Sequence, residues 1–188
     1  MSTEIISIPI QSPLFHGIKV IHRCKQAKQQ GDNCANLRYL QSIRSGGVRK
    51  NDVDLYYAML FRHTDLLTEE VVKQISELDA IFRPPSSRCD ALPYLEKILL
   101  KFPNCKDVSS RFTKTSNIKS GEIQEFDEIL KVISYQKAGD EDTWKTVLFV
   151  DDILNRGNTA AVTLNLLLEA GFPISSSFII ACPLWESF

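Results

Sequence analysis

Apolar positions along the chain follow two periods, and their order predicts the elements. Val147, Leu148, Phe149 and Val150 form an unbroken β-branched and aromatic run, the pattern of a strand buried on both faces of a parallel sheet. Asp151 and Asp152 end the run, and a short loop containing Gly157 follows. The apolar segment 160–170 then predicts a helix that stops at Gly171, where a glycine belongs just past a helix end. A second unit of the same order comes earlier in the chain. Asp79 to Phe82 predicts a short buried strand, 83–88 a loop of Arg, Pro and Ser, and Asp90 the cap of a helix that reaches Phe102 and is stopped by Pro103. Phe178-Ile-Ile-Ala-Cys182 marks the last buried strand, within 176–185.

The remaining pattern is less regular. Ile5 to Ile10 and Gly17 to His22 predict a β-hairpin, after which Cys24 to Arg44 is polar and weakly helical until Ser45-Gly46-Gly47 breaks it. Asn51 or Asp52 caps a helix through about His63, with Leu55, Met59 and Leu60 on one face and His63 as a C-terminal dipole partner. A second helix starts at Thr68, with Glu69 and Glu70 in its first turn, and buries Val71, Val72, Ile75 and Leu78. The span 106–112 predicts a strand and 113–121 a polar loop with Lys114 and Lys119 and no acids. An amphipathic helix over 122–134 carries Ile123, Phe126, Ile129, Leu130 and Ile133, and 138–142 reads as an exposed turn. The fold class expected is α/β, a mostly parallel central sheet flanked by helices over 51–188, with 1–50 as an N-terminal hairpin and arm.

Composition narrows the class further. With 188 residues, 44% apolar and 24% charged, the chain is one ordinary globular domain by the usual prior. The start Met1-Ser-Thr-Glu-Ile lacks the basic and apolar regions of a signal peptide, and no apolar run approaches membrane-spanning length, so the expected location is cytoplasmic with no membrane partner. Five cysteines, at 24, 34, 89, 105 and 182, form no Cys-x-x-Cys pair, which argues for reduced thiols over a disulfide framework or a zinc site. Residues 1–50 hold eight Lys or Arg against two acids. That segment is a solvated basic face, a complement to an acidic surface of the same chain, or, over 17–50, a surface for nucleic acid or another partner.

Strand, acidic pair, glycine loop and helix together define a chemistry. The loop amides and the helix N-terminus point at the crevice beyond the carboxyl end of the strand and favour an anion such as phosphate. Carboxylates repel phosphate, so a ligand held beside Asp151 and Asp152 also has to offer hydroxyl donors, a metal or a cation-like reaction centre. A sugar phosphate meets this requirement. If the sugar passes through an oxocarbenium-like state, the same negative charge stabilises the transition state more than the ground state. An acidic pair after a buried strand is also the ordinary pattern of a helix cap and solvated turn.

Val-Leu-Phe-Val-Asp-Asp-Ile-Leu-Asn-Arg-Gly-Asn-Thr, 147–159, resembles the phosphoribosyl pyrophosphate (PRPP) signature of the type I phosphoribosyltransferases: four apolar residues, two acids, two apolar residues and a small hydroxyl-rich loop with glycine. The resemblance implies that Asp151 and Asp152 face the ribose diol as catalytic residues. It also implies that Asn155, Arg156, Gly157, Asn158 and Thr159 wrap the 5′-phosphate. At Asn155 and Arg156 the chain departs from the small pair usual in the family, and a guanidinium there either adds a bidentate phosphate contact or fills the phosphate's own place. By position, the loop with Arg83, Ser86, Ser87 and Arg88 corresponds to the pyrophosphate loop, and Lys114 to the flexible loop that closes over the site. In the resemblance Mg²⁺ arrives with PRPP, with no protein ligand required, and the phosphoribosyl group passes to an acceptor with release of pyrophosphate. A hood selecting the acceptor would come from residues 1–50, the layout of the competence-associated ComF-like branch. The alternative is a PRPP- or nucleotide-sensing module without turnover, working with a nucleic-acid or protein partner; either reading is compatible with a homo-oligomer.

Overall fold

The computed structural model describes residues 3–6, 18–25, 53–85, 91–115, 125–154 and 157–185. Its centre is a sheet in the spatial order β1 (Thr3–Ile6), β2 (Ile18–Lys25), β9 (Ser177–Trp185), β7 (Thr146–Val150), β3 (Ala80–Phe82) and β4 (Lys106–Asp107), with β8 (Ile153–Leu154) also pairing with β9. From β2 to β4 every pairing is parallel, and only β1 runs antiparallel, against β2. The fold is therefore α/β around a parallel sheet. The hairpin expected at 5–10 and 17–22 is present with other bounds, Ile6 facing Ile18. It is hydrogen-bonded into the main sheet through β2.

Burial explains the run 147–150: all four side chains are covered, alternate residues facing opposite layers. Val147 and Phe149 join the layer of α4 (Asn158–Ala170), α3 (Phe126–Val132) and a small antiparallel pair, β5 (Phe112–Lys114) with β6 (Ile133–Tyr135). Leu148 and Val150 join the layer of α1 (Val53–Gln74) and α2 (Leu92–Leu99). Phe82 knits the first layer, its ring 4.5 Å from that of Phe112 and 5.4 Å from that of Phe149. A fully buried side chain of this size contributes roughly 1.5–3 kcal/mol.

Several boundaries differ from the sequence expectations. Instead of two helices meeting between His63 and Thr68 there is one of 22 residues, Val53–Gln74. No Gly or Pro interrupts it, and Thr68, the expected start of the second helix, lies inside it: Thr68 Oγ1 donates to the Thr64 carbonyl and Thr64 Oγ1 to that of Leu60, both at 2.8 Å. His63 thus lies buried within a helix, not at its end, and Val72 is 44% exposed while Val71, Ile75 and Leu78 are buried. α2 begins after Ala91 with a proline in its first turn and ends at Leu99, its last turn tightening into bonds from Lys101 to Ile98 and from Phe102 to Leu99. Asp90, the expected cap, lies outside the described residues, as do Asn51 and Asp52.

The strand expected over 106–112 breaks after Asp107, because Asp107 Oδ1 accepts the Ser109 N–H at 2.9 Å and turns the chain into a 3₁₀ turn, Ser109–Arg111. Thr113 and Lys114, placed in a closing loop by the sequence, are strand residues facing Ser134 and Ile133. The helix expected over 122–134 ends at Val132, and Ile133 instead enters β6 and is buried there. Residues 116–124, with the rest of the proposed loop and Lys119, lie outside the described residues.

At the amino edge of the sheet, Asp79 Oδ2 accepts the backbone N–H groups of both Lys145 and Thr146 at 2.8 Å, tying the start of β3 to the start of β7. Hydrogen bonds to a charged group each contribute about 1.5–3 kcal/mol. Asp79→Ala is accordingly expected to cost on the order of 2 kcal/mol, read as a lower urea midpoint with an unchanged slope; a change below about 0.5 kcal/mol would mean that water replaces the carboxylate without loss.

Candidate functional site

The connections leave the sheet in opposite directions at one place. From β3 the chain passes through α2 to β4 on one side, and from β7 it passes through α4 to β9 on the other. The two helices also cover opposite faces, α2 in one core layer and α4 in the other. Between β3 and β7, therefore, lies a topological switch point, where the loops at the carboxyl ends diverge and leave a crevice. Phe82 pairs with Phe149 in the ladder, so the chain emerges at Arg83 on one strand and, past Val150, at Asp151 on its neighbour. The two units recognised in the sequence thus open side by side.

Asp151 begins to leave the sheet for a reason visible in β9. Its N–H still donates to the Ala181 carbonyl at 3.0 Å. The next rung of a parallel ladder would bring the N–H of residue 183 to the Asp151 carbonyl, and residue 183 is proline, which has none. Pairing resumes only at Ile153 with Leu184. The acidic pair occupies the gap, half-buried, with the Asp152 N–H donating to Asp151 Oδ1 at 2.8 Å. Below it Cys182 is fully buried; burial pushes its thiol well above the ordinary range and the charge of Asp151 adds to this, followed by that of Asp152, while a backbone hydrogen bond at Leu154 works the other way. Burial thus favours the neutral thiol at Cys182.

Gly157 stands at the entry to α4 with φ 77°, a left-handed conformation that a residue with a Cβ adopts only at a cost. Asn158 and Thr159 form the first turn, half-buried. At the far end Gly171, φ 109°, closes the helix as the sequence predicted: its N–H bonds to the Leu168 carbonyl and that of Phe172 to Leu167, with Phe172 and Leu167 both in the core. Asn155 and Arg156 lie outside the described residues.

On the β3 side, Arg83 is partly buried and its Nε is enclosed without a hydrogen-bond partner. Its backbone N–H donates to Ser109 Oγ at 3.2 Å. Pro84 is buried; Ser86, Ser87 and Arg88 lie outside the described residues. The geometry thus brings Arg83 to the same edge as Asp151, Asp152, Gly157, Asn158 and Thr159, while Lys114 belongs to the small antiparallel pair. Ser109 escaped the sequence reading; Asp107-Val-Ser109, an Asp two residues before a Ser at a strand end, is the pattern of the turn that sets it there.

Among the described residues no group of three or more His, Cys, Asp or Glu side chains is arranged to hold a metal ion. His22 is buried and level with Cys182 in the ladder. An open cleft of about 350 Å³ lies at the opposite, amino edge, lined by Lys19, Glu77, Thr146, Ser176 and Ser177 among others. It gathers none of the residues singled out in the two loops. Among the described residues no helix is long and apolar enough to cross a membrane. The chain matches no protein-family model and no curated protein.

Proposed function

We propose that the chain is a type I phosphoribosyltransferase-like protein that binds PRPP with Mg²⁺ and transfers the phosphoribosyl group to an acceptor, releasing pyrophosphate. The observation that carries this reading is the switch point: the acidic pair and the glycine-led helix follow β7, the arginine loop follows β3, and β3 and β7 are neighbours. A ligand with a phosphate at one end, a diol in the middle and a pyrophosphate at the other matches that order of groups. In this reading Asn155 to Thr159 receive the 5′-phosphate at the N-terminus of α4. Asp151 and Asp152 accept hydrogen bonds from the ribose hydroxyls. Arg83, whose Nε is enclosed without a partner, donates to the pyrophosphate with Ser86, Ser87 and Arg88. Lys114, on β5, adds positive charge in this reading.

The residues fit magnesium that is carried by the ligand: two adjacent carboxylates hold the hydroxyls of the same sugar, and the charge of the leaving group is the larger need. Bound to the phosphate oxygens, Mg²⁺ would neutralise that charge. As the bond from the anomeric carbon to the pyrophosphate oxygen breaks, its electron pair leaves with the pyrophosphate and positive charge builds on the ring. Asp151 and Asp152 stabilise that charge where it develops.

Calorimetry with PRPP and Mg²⁺, beside a pyrophosphate-release assay over a panel of nucleobases and amines, tests the reading. Saturable binding with release in one of the mixtures is the expected result. Binding without release in any mixture would favour a sensing module, and no binding of PRPP or ribose 5-phosphate would overturn both.

A further inference from the structure

We propose that Ser109, in the 3₁₀ turn after the neighbouring strand β4, is a positioning residue for Arg83, the first residue after β3; this rests on the reading of Arg83 as a pyrophosphate contact. The argument begins with backbone donors. Of residues 83 to 85, Pro84 and Pro85 carry no N–H, so Arg83 supplies the single backbone donor with which the start of the loop can be held. Ser109 Oγ accepts it at 3.2 Å, across a separation of 26 residues.

The serine is itself held from behind. Its N–H donates to Asp107 Oδ1 at 2.9 Å, and the preceding Val108 N–H donates to the Ile81 carbonyl at 2.9 Å, continuing the β3–β4 ladder. The carboxylate of Asp107 thus sets the turn, the turn sets the hydroxyl, and the hydroxyl sets the Arg83 amide. Pro84 and Pro85, each with φ confined near about −65°, leave the two residues after Arg83 little backbone freedom. Arg83 Nε is enclosed and has no partner, so no side-chain bond at that atom aims the guanidinium. The backbone from which the side chain springs is gripped by Ser109. In a site where a displacement of about 1 Å costs catalysis dearly, a residue that never touches the ligand then controls how well the ligand is held.

Three variants are compared by calorimetry with magnesium pyrophosphate and, separately, ribose 5-phosphate. Ser109→Ala is expected to weaken pyrophosphate about three- to tenfold, the effect of one neutral hydrogen bond, to leave ribose 5-phosphate unchanged, and to keep the thermal midpoint. Ser109→Thr, which retains the hydroxyl, restores pyrophosphate affinity. Arg83→Ala weakens pyrophosphate at least as much as Ser109→Ala. The proposal is overturned if Ser109→Ala binds pyrophosphate as well as the parent while Arg83→Ala does not, because Arg83 would then hold its place without Ser109. It is overturned equally if Ser109→Ala weakens both ligands together with the midpoint, the mark of a general structural role. Should the parent protein bind ribose 5-phosphate but not pyrophosphate, the pyrophosphate assignment itself falls, and the role of Ser109 with it.

Discussion

Glu141→Ala is expected to remove about 3–5 kcal/mol of folding stability, the cost of deleting one side of a buried charged network. Glu141 is fully buried. Its Oε1 accepts the Ala138 N–H at 2.8 Å, the Tyr135 hydroxyl at 2.8 Å and Arg111 Nη1 at 3.3 Å, and its Oε2 accepts the Gly139 N–H at 2.8 Å. Removing the carboxylate takes the acceptor from all four donors and leaves Arg111 with Asp140 as its remaining counter-charge here. Beside it Asp140 bonds Arg111 Nη1 and Lys106 Nζ, each at 2.7 Å, and the Arg111 guanidinium lies 5.5 Å from the centre of the Trp144 ring. The network joins β4, the 3₁₀ turn, β6 and the turn before β7, so its loss loosens the approach to the strand that carries the acidic pair. Asp140 and Lys106 are more exposed, and Asp140→Asn is expected to cost only about 1 kcal/mol.

Urea unfolding followed by tryptophan fluorescence measures the loss, since Trp144 is buried within reach of the network. A loss below about 1 kcal/mol would mean that the donors find water and that the network carries little. The pH dependence gives a second reading. Bonds from Arg111 first, then Lys106, hold the Asp140 carboxyl far below the usual range. For Glu141 burial alone would raise the carboxyl, but the Ala138 N–H, the Tyr135 hydroxyl and the Gly139 N–H together keep it low. Both groups bind fewer protons folded than unfolded. Their stabilisation is therefore complete above the ordinary carboxylate range near about pH 4 and is lost as the pH falls below it. The parent protein should lose stability steeply on that acid limb, and Glu141→Ala should lose it less steeply because part of the loss has already occurred.

Asp151→Asn combined with Asp152→Asn is expected to weaken PRPP and ribose 5-phosphate by about 10- to 100-fold or more, because hydrogen bonds to charged acceptors contribute about 1.5–3 kcal/mol each. The fold should survive. Both residues are half-buried, outside the fully covered run Val147 to Val150, and an asparagine carbonyl can still accept the Asp152 N–H that Asp151 Oδ1 now takes. Calorimetry reads the affinity and circular dichroism the thermal midpoint. Unchanged affinity in a folded double variant would remove the acidic pair from the ligand site, whatever else binds there.

Much of the candidate site was legible because its signals are local. The run 147–150 and the glycines at 157 and 171 each report a constraint on a few neighbouring residues, burial on two faces or a left-handed turn; the ladder break at the acids instead comes from Pro183, on another strand. The helix boundaries were less legible. Thr68 read as the start of a helix, yet its hydroxyl bonds back to the carbonyl one turn earlier, a choice between two local partners that the residue type does not make. The turn 138–142 read as exposed because it is rich in acids, yet Glu141 is enclosed by Arg111 and Tyr135, which lie 30 and 6 residues away in the chain. No local pattern announces a buried glutamate whose partners come from other elements.

By itself the sequence determined the alternation of strands and helices, the covered parallel strands and the punctuation of the last helix, since period, branching and glycine act through neighbours in the chain. Tertiary structure alone decided which strands lie side by side. That β2 joins β9, that β3 and β7 meet and send their helices to opposite faces, and that Ser109 reaches Arg83 are outcomes of long-range pairing. Such pairings depend on which buried faces match across the whole sheet, and that match is a property of the assembled core rather than of any segment.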